Sequence, residues 1–267
     1  MAFVPETFIL YPEKLNFAPD KAAYTYMKRY IFSLYICVTG CLAAMATQRF
    51  DSLSSPKRET RAVLTTFSSL DWPKNKADSP AGIKAQQDEL CHILDRLKEV
   101  NINTVLLQTR VRGSVIYPSA IEPWDGCLTG TPGRAPGYDP LAFAIRECHK
   151  RGMELHAWLV AIPCFKASAA TRMGKRSVLK THPKLCVRHG DSWYLDPGQP
   201  GTADYLASLC REIAANYDVD GIHFDYIRYP ENAVKFNDAA SYRKYGKRQN
   251  KADWRRSNMT RCVRAMY

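Results

Sequence analysis

Apolar positions along the chain fall into two alternating periods. Short β-type runs occur at Arg61-Ala-Val-Leu-Thr-Thr66, Ile102 to Gln108, Met153 to Val160 and Val219 to Phe224. Between them apolar residues recur at helical spacing. Gln86 to Val100 puts Leu90, Ile93, Leu94 and Leu97 on one helix face. Asp139 and Pro140 open a second helix at its N-cap and first position, Phe143, Ile145 and Cys148 run along it, and Gly152 closes it. Thr202 to Tyr217 is a third, with Leu206, Leu209 and Ile213 inward, and a fourth begins at Ala252. The stretches 109–137 and 161–200 read as long loops.

Strands alternating with helices predict βαβ units and a parallel sheet. Long connections follow the second, third and fourth strands, whereas the returns at Asn101 and Gly152 are very short. That asymmetry is expected of an α/β fold of the (β/α)8 TIM-barrel type, whose βα loops carry the site. No Gly-x-Gly-x-x-Gly follows the first strand and no P-loop is present, which argues against a nucleotide-binding fold. Such a barrel takes about 250 residues, and the chain has 267. Only strands 1–4 are counted before Tyr267, however, so residues 58–267 are expected to form the N-terminal half of a barrel. Its first and fourth strands would be unpaired edges and its inner face open.

The residues before this rhythm have another character. Residues 27–46 carry Lys28 and Arg29, an apolar run from Ile31 to Val38, and the small-x-small site Ala44-Met45-Ala46. This is the layout of a secretory signal peptide. Residues 1–26 then read as an over-extended start ahead of Met27, and 47–57 as a linker. Val38-Thr39-Gly40-Cys41 also resembles a lipobox, in which case a lipidated Cys41 would attach the protein to a membrane. The expected location is exported: periplasmic, outer-membrane lipoprotein or extracellular.

Composition narrows the classes. The chain is 46% hydrophobic and 24% charged, which excludes a disordered or fibrous protein. The 38 Lys+Arg exceed the 26 Asp+Glu, for a formal charge of +12. The densest basic positions, Lys244, Lys247, Arg248, Lys251, Arg255 and Arg256, form no tail, so the charge reads as solvated surface and no nucleic-acid partner is expected. The nine Cys contain no Cys-x-x-Cys pair. The seven beyond the cleavage site read as free thiols, and no metal or organic cofactor is implied.

The densest chemistry is Asp220-Gly-Ile-His-Phe-Asp-Tyr-Ile-Arg-Tyr-Pro230. Alternation puts His223 and Asp225 on one face, at the carboxyl end of the fourth strand. There Asp225 can act as nucleophile, acid or base, tuned by a neighbour such as Arg228. The second strand ends at Gln108-Thr109-Arg110, and the third carries His156 and Trp158. Arg110 is expected to fix a substrate oxygen or set the charge state of a carboxylate, and His156 to bind a sugar hydroxyl. Tyr117, Trp124, Trp193, Tyr194, Tyr226 and Tyr229 crowd the same loops and offer flat faces to sugars or bases. Asp125, Asp191 and Asp196 are further loop carboxylates.

Several runs together resemble the glycosyl-hydrolase-like 10 family. They are Asn103-Thr-Val-Leu-Leu-Gln-Thr-Arg-Val-Arg112, Ile116-Tyr-Pro-Ser-Ala-Ile-Glu-Pro-Trp124, Gly137-Tyr-Asp-Pro-Leu141, His156-Ala-Trp158, Trp193-Tyr-Leu-Asp-Pro-Gly198 and the 220–230 run. The resemblance spans about residues 58–267. It implies an exported bacterial (β/α)8 protein, often from gut Bacteroidetes. It also implies hydrolysis of O-glycosidic bonds in a polysaccharide or a peptidoglycan glycan strand. Asp225 then stands as the catalytic carboxylate, with Arg110, His156, His223, Trp124, Trp158, Tyr226 and Arg228 around the substrate. Glycoside hydrolysis ordinarily uses two carboxyl groups. The second is expected after a later strand, beyond the four counted. A carbohydrate-binding protein without catalysis is the alternative.

Overall fold

The computed structural model describes residues 59–66 and 70–267. The expected start, signal peptide, lipobox and linker lie outside the described residues. The strands are β1 (Ala62–Thr65), β2 (Thr104–Arg110), β3 (Glu154–Val160), β4 (Pro163–Lys166), β5 (Cys186–His189), β6 (Ser192–Leu195) and β7 (Gly221–Asp225). The helices are α1 (Pro80–Glu99), α2 (Pro140–Lys150), the single turn α3 (Val178–Thr181), α4 (Pro200–Asn216), α5 (Ala239–Tyr245) and α6 (Lys251–Met266).

Four strands form one sheet in the order β1-β2-β3-β7, and every neighbouring pair is parallel. The spatial order follows the chain order without reversal. Helices α1, α2 and α4 lie in the successive crossovers, so each strand is laid beside the last as the alternating pattern predicts. One sheet face carries Val105, Leu107, Leu155, Ala157 and Leu159, all buried. They share a core with Leu90 and Leu94 of α1, Leu141 and Cys148 of α2, and Leu206, Leu209 and Ile213 of α4. Each of the Val, Leu and Ile side chains there contributes about 1.5–3 kcal/mol by leaving water. The other face carries Leu64, Leu106, Gln108, His156, Trp158, His223 and Asp225, and Leu64 on β1 is 51% exposed.

Three differences from the sequence expectation matter. Helix α1 begins at Pro80 rather than Gln86, because Ser79 caps it: Gly82 N–H donates to Ser79 Oγ at 3.1 Å. The stretch 161–200, expected as loop, folds β4, β5 and β6 into a separate antiparallel sheet of order β4-β6-β5. Its strands are four residues each, too short to show a period. Finally, β2 runs on to Arg110 through a register shift between Gln108 and Arg110.

Candidate functional site

The site is built at the carboxyl ends of β3 and β7. Register places Trp158 opposite His223 and Val160 opposite Asp225. Trp158, His223 and Asp225 therefore share the face turned away from the helices, as alternation predicts. The Trp158 and His223 rings meet edge to face at 6.2 Å. Trp158 Nε1–H donates to Asp225 Oδ2 at 3.1 Å, and the Tyr226 backbone N–H donates to Asp225 Oδ1 at 2.6 Å. Each carboxylate oxygen thus has one donor that fixes its direction. Both oxygens keep further acceptor capacity, and the residue is half-buried.

Beyond Asp225 the backbone turns sharply. Tyr226 has φ 49°, and Arg112, in the loop after β2, has φ 51°. Left-handed backbone at non-glycine residues costs about 1–3 kcal/mol each and gathers at functional sites. The two residues meet: the Arg112 guanidinium lies 5.8 Å from the Tyr226 ring centre, and that of Arg228 lies 5.1 Å from it. They border a cavity of about 290 Å³ also lined by His189, Asp191, Tyr194, Tyr229 and Glu231. Behind it His189, Tyr194 and Tyr229 each contact the Phe236 ring.

The expected residues divide accordingly. Asp225, His223 and Trp158 form one group, and Tyr226 and Arg228 border the adjoining cavity. His156 is a correction. It is the third residue of β3, opposite Gly221, and not at the carboxyl end. Val160 is four positions farther on, about 13 Å along the strand. Its Nε2 lies 3.5 Å from Glu154 Oε2. Trp124 is half-buried against the core, joined to Val115 by an isolated parallel bridge. Among the described residues, no hydrogen bond or ring contact links it to Asp225.

Arg110 is the second correction. Strict alternation would put it on the Asp225 face, but the bulge pairs it with Leu159 and turns it toward the core. It is 1% exposed. Its Nε and Nη2 donate to Glu122 Oε2 and Oε1 at 2.8 and 2.6 Å. Its Nη1 donates to the carbonyls of Val160 and Ala161, and Tyr205 O–H donates to Glu122 Oε1 at 2.7 Å. Burial works against the guanidinium charge, but Glu122 outweighs it and holds Arg110 above its ordinary pKa. Four of its five N–H groups are thus engaged within the protein, and the side chain lies away from the Asp225 face. Arg110 instead anchors the end of β3, where Ala161 N–H donates to the Asp225 carbonyl.

Tyr117 is buried too, its hydroxyl donating to Glu212 at 3.1 Å, so it is no sugar platform. Asp125 and Asp196 clamp loops: Ser114 Oγ donates to Asp125, and Ser241 Oγ and Gly198 N–H donate to Asp196. Burial is the main cause that pushes the Asp196 carboxyl up. Arg112 and His189, which line the cavity, were not selected from the sequence, because neither belongs to a patterned strand end. Among the described residues no cluster of His, Cys, Asp and Glu is arranged to hold a metal ion. The seven cysteines there are free thiols.

A family model described as "Glycosyl hydrolase-like 10" matches residues 59–267. Glycosyl hydrolase DigH of Escherichia coli (strain K12) is 38% identical over 218 residues, covering 75% of this chain and 49% of its own length. Glycosyl hydrolase YngK of Bacillus subtilis (strain 168) is 35% identical over 213 residues, covering 78% and 41%. The chain thus spans about half the length of the curated relatives it matches. Among solved structures, alpha-L-fucosidase isoenzyme 2 from Paenibacillus thiaminolyticus aligns with a TM-score of 0.49 at 15% identity. That alignment covers 78% of this chain and 31% of the fucosidase chain.

Proposed function

Because the chain belongs to the glycosyl hydrolase-like 10 family, we propose that it acts on a glycan through Asp225, hydrolysing O-glycosidic bonds of a polysaccharide or a peptidoglycan glycan strand. The observation that carries this is the Asp225 carboxylate itself. It stands at the carboxyl end of a parallel strand, oriented by Trp158 Nε1 and Tyr226 N–H, beside a cavity with aromatic walls. A carboxylate so held suits a nucleophile or an acid/base.

In this proposal the four-stranded sheet is part of a (β/α)8 barrel. Trp158 holds Asp225 in place with His223 packed against its ring, and Tyr194, Tyr226 and Tyr229 line the adjoining cavity in which a sugar would lie. The second carboxyl group that glycoside hydrolysis uses would stand about 5–5.5 Å from Asp225 for retention, or about 6.5–9.5 Å for inversion. Export is the accompanying proposal, supported by the Lys28, Arg29 and Ala44-Met45-Ala46 layout. Sequencing the amino terminus of the mature protein tests it, and a mature chain that keeps residues 1–26 would sink it.

The test of function is release of reducing ends from glycans by the full chain and by Asp225→Asn. Turnover should fall at least about a hundredfold in the variant, with glycan binding retained. Undiminished turnover would refute the role of Asp225. Binding without turnover in the unaltered chain would favour the second reading, a non-catalytic carbohydrate-binding protein. That reading draws on the three tyrosines around the cavity.

A further inference from the structure

We infer that Arg255, held by Asp238, is a positioning residue for the glycan: it fixes Tyr229 in the wall of the cavity beside the Asp225 strand end. The inference rests on the glycan-directed reading above and adds to it the helix that sets this wall. Tyr229 lines the cavity. Arg255 and Asn258 stand about one turn apart on α6, so both meet the same ring. The Arg255 guanidinium lies 4.9 Å from the Tyr229 ring centre. Asn258 Nδ2 donates to the Tyr229 hydroxyl at 3.3 Å.

Arg255 is in turn anchored. Its Nε donates to Asp238 Oδ2 at 2.6 Å, and Asp238 is fully buried. Lys251 Nζ lies 2.9 Å from the other carboxylate oxygen. Burial raises the Asp238 pKa, but Arg255 and Lys251 outweigh it and hold the carboxyl below its ordinary range. The anchor therefore stays charged at neutral pH. Asp238 N–H donates to the Phe236 carbonyl at 2.9 Å. The Phe236 ring meets Tyr229 edge to face at 5.4 Å, and His189 of β5 and Tyr194 of β6 lie against it too. One carboxylate thus ties α6 to both chain segments that carry these wall residues.

The way Arg255 places its donors separates positioning from simple stability. An arginine that serves a buried ion pair alone closes its fork on the carboxylate, as Arg110 does toward Glu122 through Nε and Nη2. Arg255 gives Asp238 its Nε, while its Nη2 is buried with no hydrogen-bond partner among the described residues. Asn258 Oδ1 is buried and unpartnered as well. Such groups are rare in folded proteins and call for a reason. Here the reason is the ring: the guanidinium is turned over Tyr229 instead of closing a fork on Asp238. Lys251 provides the contrast. It touches the same carboxylate but lies over the ring of Tyr242.

NMR of ring-labelled tyrosine and calorimetric titration, both on the full chain, test this. The Tyr229 signal is identified by its loss in Tyr229→Phe. The probes are isolated peptidoglycan glycan strands and a soluble chitooligosaccharide, and the tighter binder is used throughout. Arg255→Met leaves Asp238 with Lys251, so no buried charge is stranded and the chain should fold. In that variant the Tyr229 signal should move with no glycan present. Its Kd should rise about tenfold, within the range of one cation–π contact. Arg255→Lys, which keeps the cation, should recover part of both. Lys251→Met removes a contact to the same carboxylate, so a merely structural ion pair predicts the same losses there. Positioning predicts an unmoved Tyr229 signal and a Kd within about twofold in Lys251→Met. Where the probe is turned over, KM should follow Kd while kcat changes less. An unmoved Tyr229 signal or an unchanged Kd in Arg255→Met overturns the proposal, as do equal losses in Arg255→Met and Lys251→Met. A displaced signal in a chain that binds neither probe supports the hold on Tyr229 while defeating the glycan reading. Glycan binding with an unmoved signal does the reverse.

Discussion

Arg110 and Glu122 are fully buried opposite charges joined by two hydrogen bonds. Removing one partner strands the other in a low-dielectric interior. Glu122→Gln should therefore cost about 3–5 kcal/mol, read from the midpoint of urea unfolding. Gly221 is fixed by close approach, because an added Cβ would stand 2.6 Å from His156 Nδ1. Gly221→Ala should cost about 1–3 kcal/mol through displacement of that ring, seen as a lower melting temperature. Asp220 accepts from His149 Nε2 and from Leu155 N–H, both at 2.8 Å. Burial raises its pKa, but these two bonds outweigh that and hold it below the usual carboxylate range. A depressed folded pKa gives stability above the unfolded value, about 3.9, that is lost as pH falls through the folded one. Asp220→Asn should thus be less stable than the unaltered chain at neutral pH, with the gap closing in denaturation series taken below about pH 4. At this scale the period of two was enough to put His223 and Asp225 together. It failed for Arg110, because a bulge flips one residue without leaving a mark in the pattern. Glu122 stands 12 residues farther on, in a loop with no period at all.

Among the elements, the long amphipathic helices and the apolar strands were legible because burial imposes their periods. The start of α1 was not, since Pro80-Ala81-Gly82 resembles a loop until Ser79 is recognised as its cap. Ser79→Ala should cost about 1 kcal/mol, measurable as a small shift of the urea midpoint. The sheet β4-β6-β5 was hidden because each strand is four residues long and Pro163 begins one of them. The consequence is functional. Inserted in the chain between β3 and β7, this sheet and its turn contribute His189, Asp191 and Tyr194 to the cavity wall. Tyr194 and Asp191 were legible as loop residues akin to Tyr226 and Tyr229, whereas the isolated His189 joins them only through this sheet.

For the whole molecule, the alternation of strand and helix foretold a parallel sheet, and the order β1-β2-β3-β7 follows the chain as expected. The family resemblance drawn from the 103–112 and 220–230 runs agrees with the family match over residues 59–267. The central claim is that the strand-end carboxylate, Asp225, carries the chemistry. Its most direct test is azide rescue of Asp225→Gly in the full chain, acting on a glycan with a good leaving group. Turnover should be lost in the variant and restored by azide, with a glycosyl azide detected by mass spectrometry. Turnover by Asp225→Gly at the unaltered chain's rate without azide would contradict the account.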